Sequence, residues 1–141
     1  MKRNAAAVWE GGIKDGKGLI SAESRVFSNA PYSFVNRFEE QQGTSPEELL
    51  AAAHASCYSM ALSLALGESG LTPKRIDTTA TVTVKPDDGG FTITAVHLEV
   101  HAQIPGADPE VFEKAANGAK EGCPVSKLFN AEITLDAQLT T

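Results

Sequence analysis

The sequence predicts an α+β fold of antiparallel sheets around a long buried central helix. Three observations carry that prediction: short alternating runs split by glycine turns in the N-terminal third, one long apolar segment behind a Ser-Pro-Glu-Glu start, and a long alternating pattern folded back on itself between Arg75 and Gln103. The chain has 141 residues, 42% hydrophobic and 21% charged, which is ordinary for a globular protein and most simply read as one domain, 1–141.

The elements follow in order. Ala5 to Glu10 and Leu19 to Ser24 read as strands around the turn Lys14-Asp15-Gly16-Lys17-Gly18. Asn29-Ala30-Pro31 is a turn, and Tyr32 to Phe38 alternates apolar and polar residues as a further strand. Gly43-Thr44-Ser45-Pro46-Glu47-Glu48 opens the principal helix. Ser45 fits the N-cap, Pro46 the first helical position, and Glu48 the reciprocal position of a capping box. From Leu49 to Leu66 that helix is apolar almost all round, so it is expected to be buried on most sides, with its end near Gly67 or Gly70. Arg75 to Lys85 and Phe91 to Gln103, joined through Pro86-Asp87-Asp88-Gly89-Gly90, form an antiparallel hairpin. Asp108 caps a second helix through about Glu121, Cys123-Pro124 opens a short third helix, and Ala131 to Leu139 closes the chain as a strand. A single small sheet covers such a helix poorly, so a homodimer whose two long helices share a core is the economical expectation.

Composition narrows the function. A net charge of −6 with no clustered Lys/Arg stripe argues against nucleic acid. The N-terminus is too short in apolar residues for a secretory h-region, no later segment is read as a membrane span, and a cytoplasmic address is the expectation. Two cysteines in that compartment point away from a permanent structural disulfide.

Those cysteines sit in contrasting surroundings. Cys57 lies within the apolar helix, where burial keeps a thiol protonated. Cys123 lies at a helix start, where free N–H groups favour the thiolate. The functional reading makes Cys57 a peroxide-reducing nucleophile that becomes a sulfenic acid, and Cys123 the thiol that condenses with it. The plain alternatives are a small buried hydrophobe at Cys57 and a mere helix cap at Cys123. Arg37 is the only arginine between Arg25 and Arg75 and is the guanidinium best placed to hold a thiolate; its alternative is a surface charge at a strand end. Glu47 is its candidate partner, although ten residues separate Glu47 from Cys57, about 15 Å along a continuous helix. Either the helix breaks between them, or Glu47 meets a Cys57–Arg37 pair of another subunit. His54, one turn before Cys57, lacks an orienting Asn or Asp and reads as a buried or interface histidine. His97 and His101 share one strand face and, without further ligands, make no metal site.

The segment from Gly43 to Leu62, together with Gly122-Cys123-Pro124-Val125-Ser126, closely resembles the OsmC branch of the OsmC/Ohr family, the osmotically inducible and organic hydroperoxide resistance proteins. Trp9-Glu10-Gly11, Asn36-Arg37-Phe38-Glu39 and Ala131-Glu132-Ile133-Thr134-Leu135 extend the likeness over nearly the whole chain. The resemblance implies an intertwined homodimer with its active sites at the subunit interface. It implies a thiol peroxidase that prefers organic over inorganic hydroperoxides in oxidative or osmotic stress defence, with Cys57 peroxidatic, Cys123 resolving, Arg37 activating and Glu47 its carboxylate partner. Dithiols, lipoyl groups especially, are the implied reductants. No metal, flavin or haem is implied, and His54 is given no catalytic role. Two other readings stand beside it. One is a non-enzymatic binder of a lipid-like ligand in the apolar pocket of a dimer. The other is a general disulfide reductase, against which the lack of a Cys-x-x-Cys counts.

Overall fold

Short alternating runs in the first third and long ones in the second become two separate three-stranded sheets in the computed structural model, which describes residues 1–39 and 42–141. In chain order these are β1 (Ala5–Glu10), β2 (Lys17–Ala22), β3 (Ala30–Tyr32), a single 3-10 turn (Val35–Arg37), α1 (Pro46–Glu68), β4 (Arg75–Asp87), β5 (Gly90–Gln103), α2 (Pro109–Gly122), α3 (Pro124–Leu128) and β6 (Glu132–Thr140). The chain divides into two compact units, Met1–Leu49 and Leu50–Thr141.

In the first unit β1 pairs antiparallel with β2 from Ala5↔Ala22 to Glu10↔Lys17, and β3 lies on the other edge of β2. Gly18 faces Tyr32 across the β2–β3 pair, and a Cβ there would come within 2.3 Å of the tyrosine ring. The missing side chain lets that ring lie against the strand, where its centroid is 5.8 Å from that of Trp9.

The expected strand from Tyr32 to Phe38 is not formed. β3 ends at Tyr32, and the chain winds into the 3-10 turn with Ser33 Oγ accepting from the Asn36 N–H at 3.2 Å. Phe34 and Phe38 then meet edge-to-face at 5.4 Å. Two aromatic residues four apart satisfy both a period of two and a helical turn, and the local serine bond decides for the turn.

The next stretch is tied to the end of β3. Thr44 N–H donates to Pro31 O at 2.9 Å, and Asn36 Nδ2 donates to the carbonyls of Gln42 and Thr44 at 3.3 Å each. Gly43 permits this with φ +123°, where a Cβ would sit 2.6 Å from Pro31 O. α1 opens as expected, with Ser45 Oγ accepting from the Glu48 N–H at 3.2 Å and Pro46 in first place. The reciprocal half of the capping box is absent: Glu48 Oε1 accepts instead from Thr44 Oγ1 at 2.7 Å. α1 then runs unbroken to Glu68, and Leu71 N–H closes its end onto Leu66 O at 2.9 Å.

In the second unit β4 and β5 form the expected antiparallel hairpin, from Arg75↔Gln103 to Asp87↔Gly90, with one irregularity at Thr83/Val84. β6 corrects the expectation of purely antiparallel pairing, because it runs parallel to β5 from Ala95↔Glu132 to Gln103↔Thr140. The intervening α2 and α3 return the chain to the starting end of β5, which is the crossover a parallel pair requires. Val96, Leu98, Val100 and Ala102 on β5 face the core with Tyr58, Leu62 and Leu66 of α1 and Phe112, Ala116 and Ala119 of α2. Each large apolar side chain buried there contributes about 1.5–3 kcal/mol.

All-round burial of α1 is a further expectation that the single chain does not meet. Its fully buried residues are His54, Tyr58, Leu62 and Leu66, one stripe at intervals of four, while Met60 and Leu64 are each 69% exposed. One three-stranded sheet with one helix covers one stripe only. α1 has 23 residues and holds an 18-residue window of mean hydropathy 1.5, so it is also long and apolar enough to cross a membrane by length and composition, contrary to the sequence reading. Its buried stripe packs on protein, as a core helix does.

Candidate active site

The second unit brings the two thiols together. Cys57 lies midway along α1, on the turn after His54. Cys123 ends α2 and begins α3: its N–H bonds Ala119 O at 3.0 Å and its carbonyl accepts from Lys127 N at 3.1 Å. Pro124 follows at the first position of α3, where a missing N–H is harmless. The Cys123 thiol makes no helix-capping bond. It donates instead to Cys57 Sγ across 2.9 Å, and both residues are free thiols.

Their burial reverses the expectation. Cys123 is completely buried and Cys57 is half-buried, so the first thiol is the more accessible one. The helix start acts on the other sulfur, since the backbone N–H of Val125 bonds to Cys57 and favours its anion. Burial outweighs that amide, and together with the adjacent Cys123 sulfur it pushes the Cys57 thiol above its ordinary range. A groove of about 470 Å³ opens beside Cys57 along the exposed side of α1, lined by Met60, Ala61, Leu64, Ala65 and Ala119. Its walls are mainly apolar, with Glu68 also lining it, which suits an alkyl or aryl group.

The first unit brings the other pair together. Arg37 Nε lies 3.1 Å from Glu47 Oε1, with the side chains 32% and 13% exposed. Arg37 ends the 3-10 turn and Glu47 sits in the first turn of α1, and the Asn36 and Thr44 bonds described above hold those segments to each other. A guanidinium bound through Nε keeps its two Nη groups for other acceptors. Glu47 Oε2 is buried and has no hydrogen-bond partner among the described residues. The unbroken α1 removes a helix break as the way to reconcile Glu47 with Cys57.

His54 is buried and paired. Its Nε2 lies 2.7 Å from Ser126 Oγ, and its ring meets that of Phe129 edge-on at 5.3 Å. Burial lowers its pKa, so it is neutral at pH 7. Ser126, which sequence reasoning passed over, is itself buried. The available signal was a matched spacing, with Ser126 three residues after one cysteine and His54 three residues before the other. His97 and His101 lie on the exposed face of β5, where His97 Nδ1 is 2.6 Å from Thr134 Oγ1 and His101 stands opposite Asp77.

The OsmC-like protein family model matches residues 39–138. The chain is 53% identical over 139 residues to the Escherichia coli K12 protein named Peroxiredoxin OsmC, covering 99% of this chain and 97% of that one. It is 32% identical over 102 residues to the organic hydroperoxide resistance protein OhrB of Bacillus subtilis, covering 72% and 73% of the two chains. The crystal structure of an OsmC-like protein from Mycoplasma pneumoniae superposes with a TM-score of 0.77 over 100% of this chain and 99% of that one, at 16% identity, and shows the same fold. With two thiols in reach of each other and a family match across most of its length, this chain belongs to the OsmC-like family.

Proposed function

We propose that this protein is a two-cysteine peroxidase that reduces organic hydroperoxides, and inorganic peroxide more weakly, in defence against oxidative or osmotic stress. The observation that carries this reading is the 2.9 Å contact between the sulfurs of Cys57 and Cys123. The Cys57 thiolate attacks the outer oxygen of the hydroperoxide; an S–O bond forms, the O–O bond breaks, and the alkoxide leaves and takes up a proton as the alcohol. Cys57 is now a sulfenic acid. The Cys123 sulfur attacks it, an S–S bond forms, and hydroxide leaves and combines with the thiol proton as water. A dithiol, of which a lipoyl group is one, then reduces the disulfide, becoming a disulfide itself and restoring both thiols.

Because burial raises the Cys57 pKa, the first step needs a cation, and Arg37 held by Glu47 is the one we assign. The exposed apolar side of α1, with Met60 and Leu64, supports a homodimer in which each copy covers the helix of the other. The unbroken α1 supports an Arg37–Glu47 pair that serves the Cys57 of the partner copy. Each chain works as one OsmC-like domain in the cytoplasm, where a reducing compartment keeps the resting thiols free.

Thiol titration before and after one equivalent of cumene hydroperoxide tests the reading. Two thiols lost per chain in the native protein, and none in Cys57→Ser, are expected. Unchanged thiols would instead favour a binder of a lipid-like ligand, the reading that the mainly apolar groove beside Cys57 keeps open.

A further inference from the structure

Beside the sulfur pair, one buried contact stands without a role. His54 and Ser126 are both buried and hydrogen-bonded at 2.7 Å, 72 residues apart in sequence. His54 lies one turn before Cys57 on α1, and Ser126 lies one turn after Cys123 on α3. The order is reversed between the two helices, so the sulfur contact and the imidazole contact are successive rungs between them.

The proton arrangement of the second rung follows from burial. A neutral imidazole carries one N–H. His54 Nδ1 is buried with no partner among the described residues, and an unpaired buried N–H is the costlier choice of orphan. The proton therefore sits on Nε2, and His54 donates to Ser126 Oγ. α3 has five residues and one buried side chain, Ser126, so this bond anchors an otherwise thinly packed turn.

We propose that His54 and Ser126 are positioning residues for the redox couple, clamping α3 against α1 so that the Cys123 sulfur is held on Cys57. The proposal rests on the peroxidase reading for its purpose, because that is the reaction in which the sulfurs must join. A clamp made before the S–S bond forms removes part of the ordering that the bond must otherwise impose, which raises the effective concentration of Cys123 at Cys57. Neither residue touches the reacting atoms. Their effect passes through the placement of Cys123.

The test is a redox titration that uses no peroxide. The reduced protein is equilibrated with glutathione and glutathione disulfide at graded ratios. Forming the Cys57–Cys123 bond releases two molecules of glutathione per disulfide consumed, and mass spectrometry of blocked samples gives the oxidised fraction. Ser126→Ala is expected to lower the equilibrium constant for disulfide formation by about threefold or more, in the range of one lost hydrogen bond. His54→Gln keeps a donor at similar reach and is expected to stay near the native value. The double variant His54→Phe/Ser126→Ala removes both polar partners without leaving an orphan, so it keeps its fold even should Ser126→Ala alone fail to, and it is expected to show the same threefold or greater loss. Equal disulfide equilibria in the native protein and the double variant overturn the proposal. The peroxidase reading fails separately, by an absence of thiol loss with cumene hydroperoxide in the native protein. When both hold, tenfold excess cumene hydroperoxide drives more Cys57 to sulfinic acid in the double variant than in the native protein.

Discussion

Arg37 Nε and Glu47 Oε1 stand 3.1 Å apart, one at the end of a 3-10 turn and the other in the first turn of α1. The pairing holds the guanidinium through its inner nitrogen, and in the peroxidase we propose, its outer nitrogens bind the substrate or the thiolate. Removing Arg37 by Arg37→Ala is expected to slow oxidation of Cys57 by an alkyl hydroperoxide about 10–100-fold, the worth of a charge-assisted hydrogen bond. Glu47→Gln should fall between native and Arg37→Ala, and Arg37→Lys should not restore the rate because an ammonium lacks the fork. Stopped-flow measurement of the first step decides this. An unchanged rate in Arg37→Ala returns that residue to the role of a surface charge.

The sulfur contact makes the two cysteines inequivalent in their failures. Cys57→Ser is expected to lose all reaction with an alkyl hydroperoxide while retaining its fold. Cys123→Ser should react once per chain, fail to turn over with a dithiol, and accumulate sulfinic acid at Cys57, read as an added mass of two oxygens on the peptide that holds it. Sustained turnover in Cys123→Ser would remove it from the cycle.

Stability should depend on pH with a plateau bounded on both sides. His54 has its pKa lowered by burial from an ordinary 6.5, so the folded protein resists a proton that the unfolded chain accepts; stability is full above pH 6.5 and falls as pH drops below it. Cys57 and Tyr58 have raised pKa values, chiefly through burial, so the folded protein holds protons that the unfolded chain releases. Their contribution is full below the ordinary thiol value of 9.0 and is lost as pH rises beyond it. The slope is bounded by about 1.4 kcal/mol per pH unit for each proton. Thermal unfolding at graded pH measures it, and an acid limb as steep in His54→Phe as in the native protein contradicts the assignment.

Met60 and Leu64, each 69% exposed on α1, are the contacts expected at the interface of the homodimer we propose. Leu64→Arg should shift the protein from dimer to monomer in sedimentation velocity, because an unpaired guanidinium resists burial between apolar surfaces. A dimer that survives Leu64→Arg unchanged places the interface elsewhere.

Much of this was legible in the residues themselves. Ser45, Pro46 and Asp108 announced helix starts, and Asp108 Oδ1 accepts from Glu110 N at 2.8 Å and Val111 N at 3.3 Å as a cap does. The strict alternation of β4 and β5 was equally plain. What was hidden was decided by contacts between distant residues. The direction of β6 depends on the crossover and not on its own alternation, which reads the same either way. Tyr32 to Phe38 satisfied two periods at once. The burial of Cys123 and exposure of Cys57 depend on which side of α1 the sheet covers, and an all-apolar helix does not mark that side. The Cys57–Cys123 approach joins residues 66 positions apart, and composition alone is silent about it.

Besides pairing with β5, β6 packs on α2, so the strand that completes the sheet also backs the helix that ends at Cys123. Removing residues 132–141 would strip β5 of one partner strand and α2 of its backing, so the sulfur pair would lose support with neither cysteine altered.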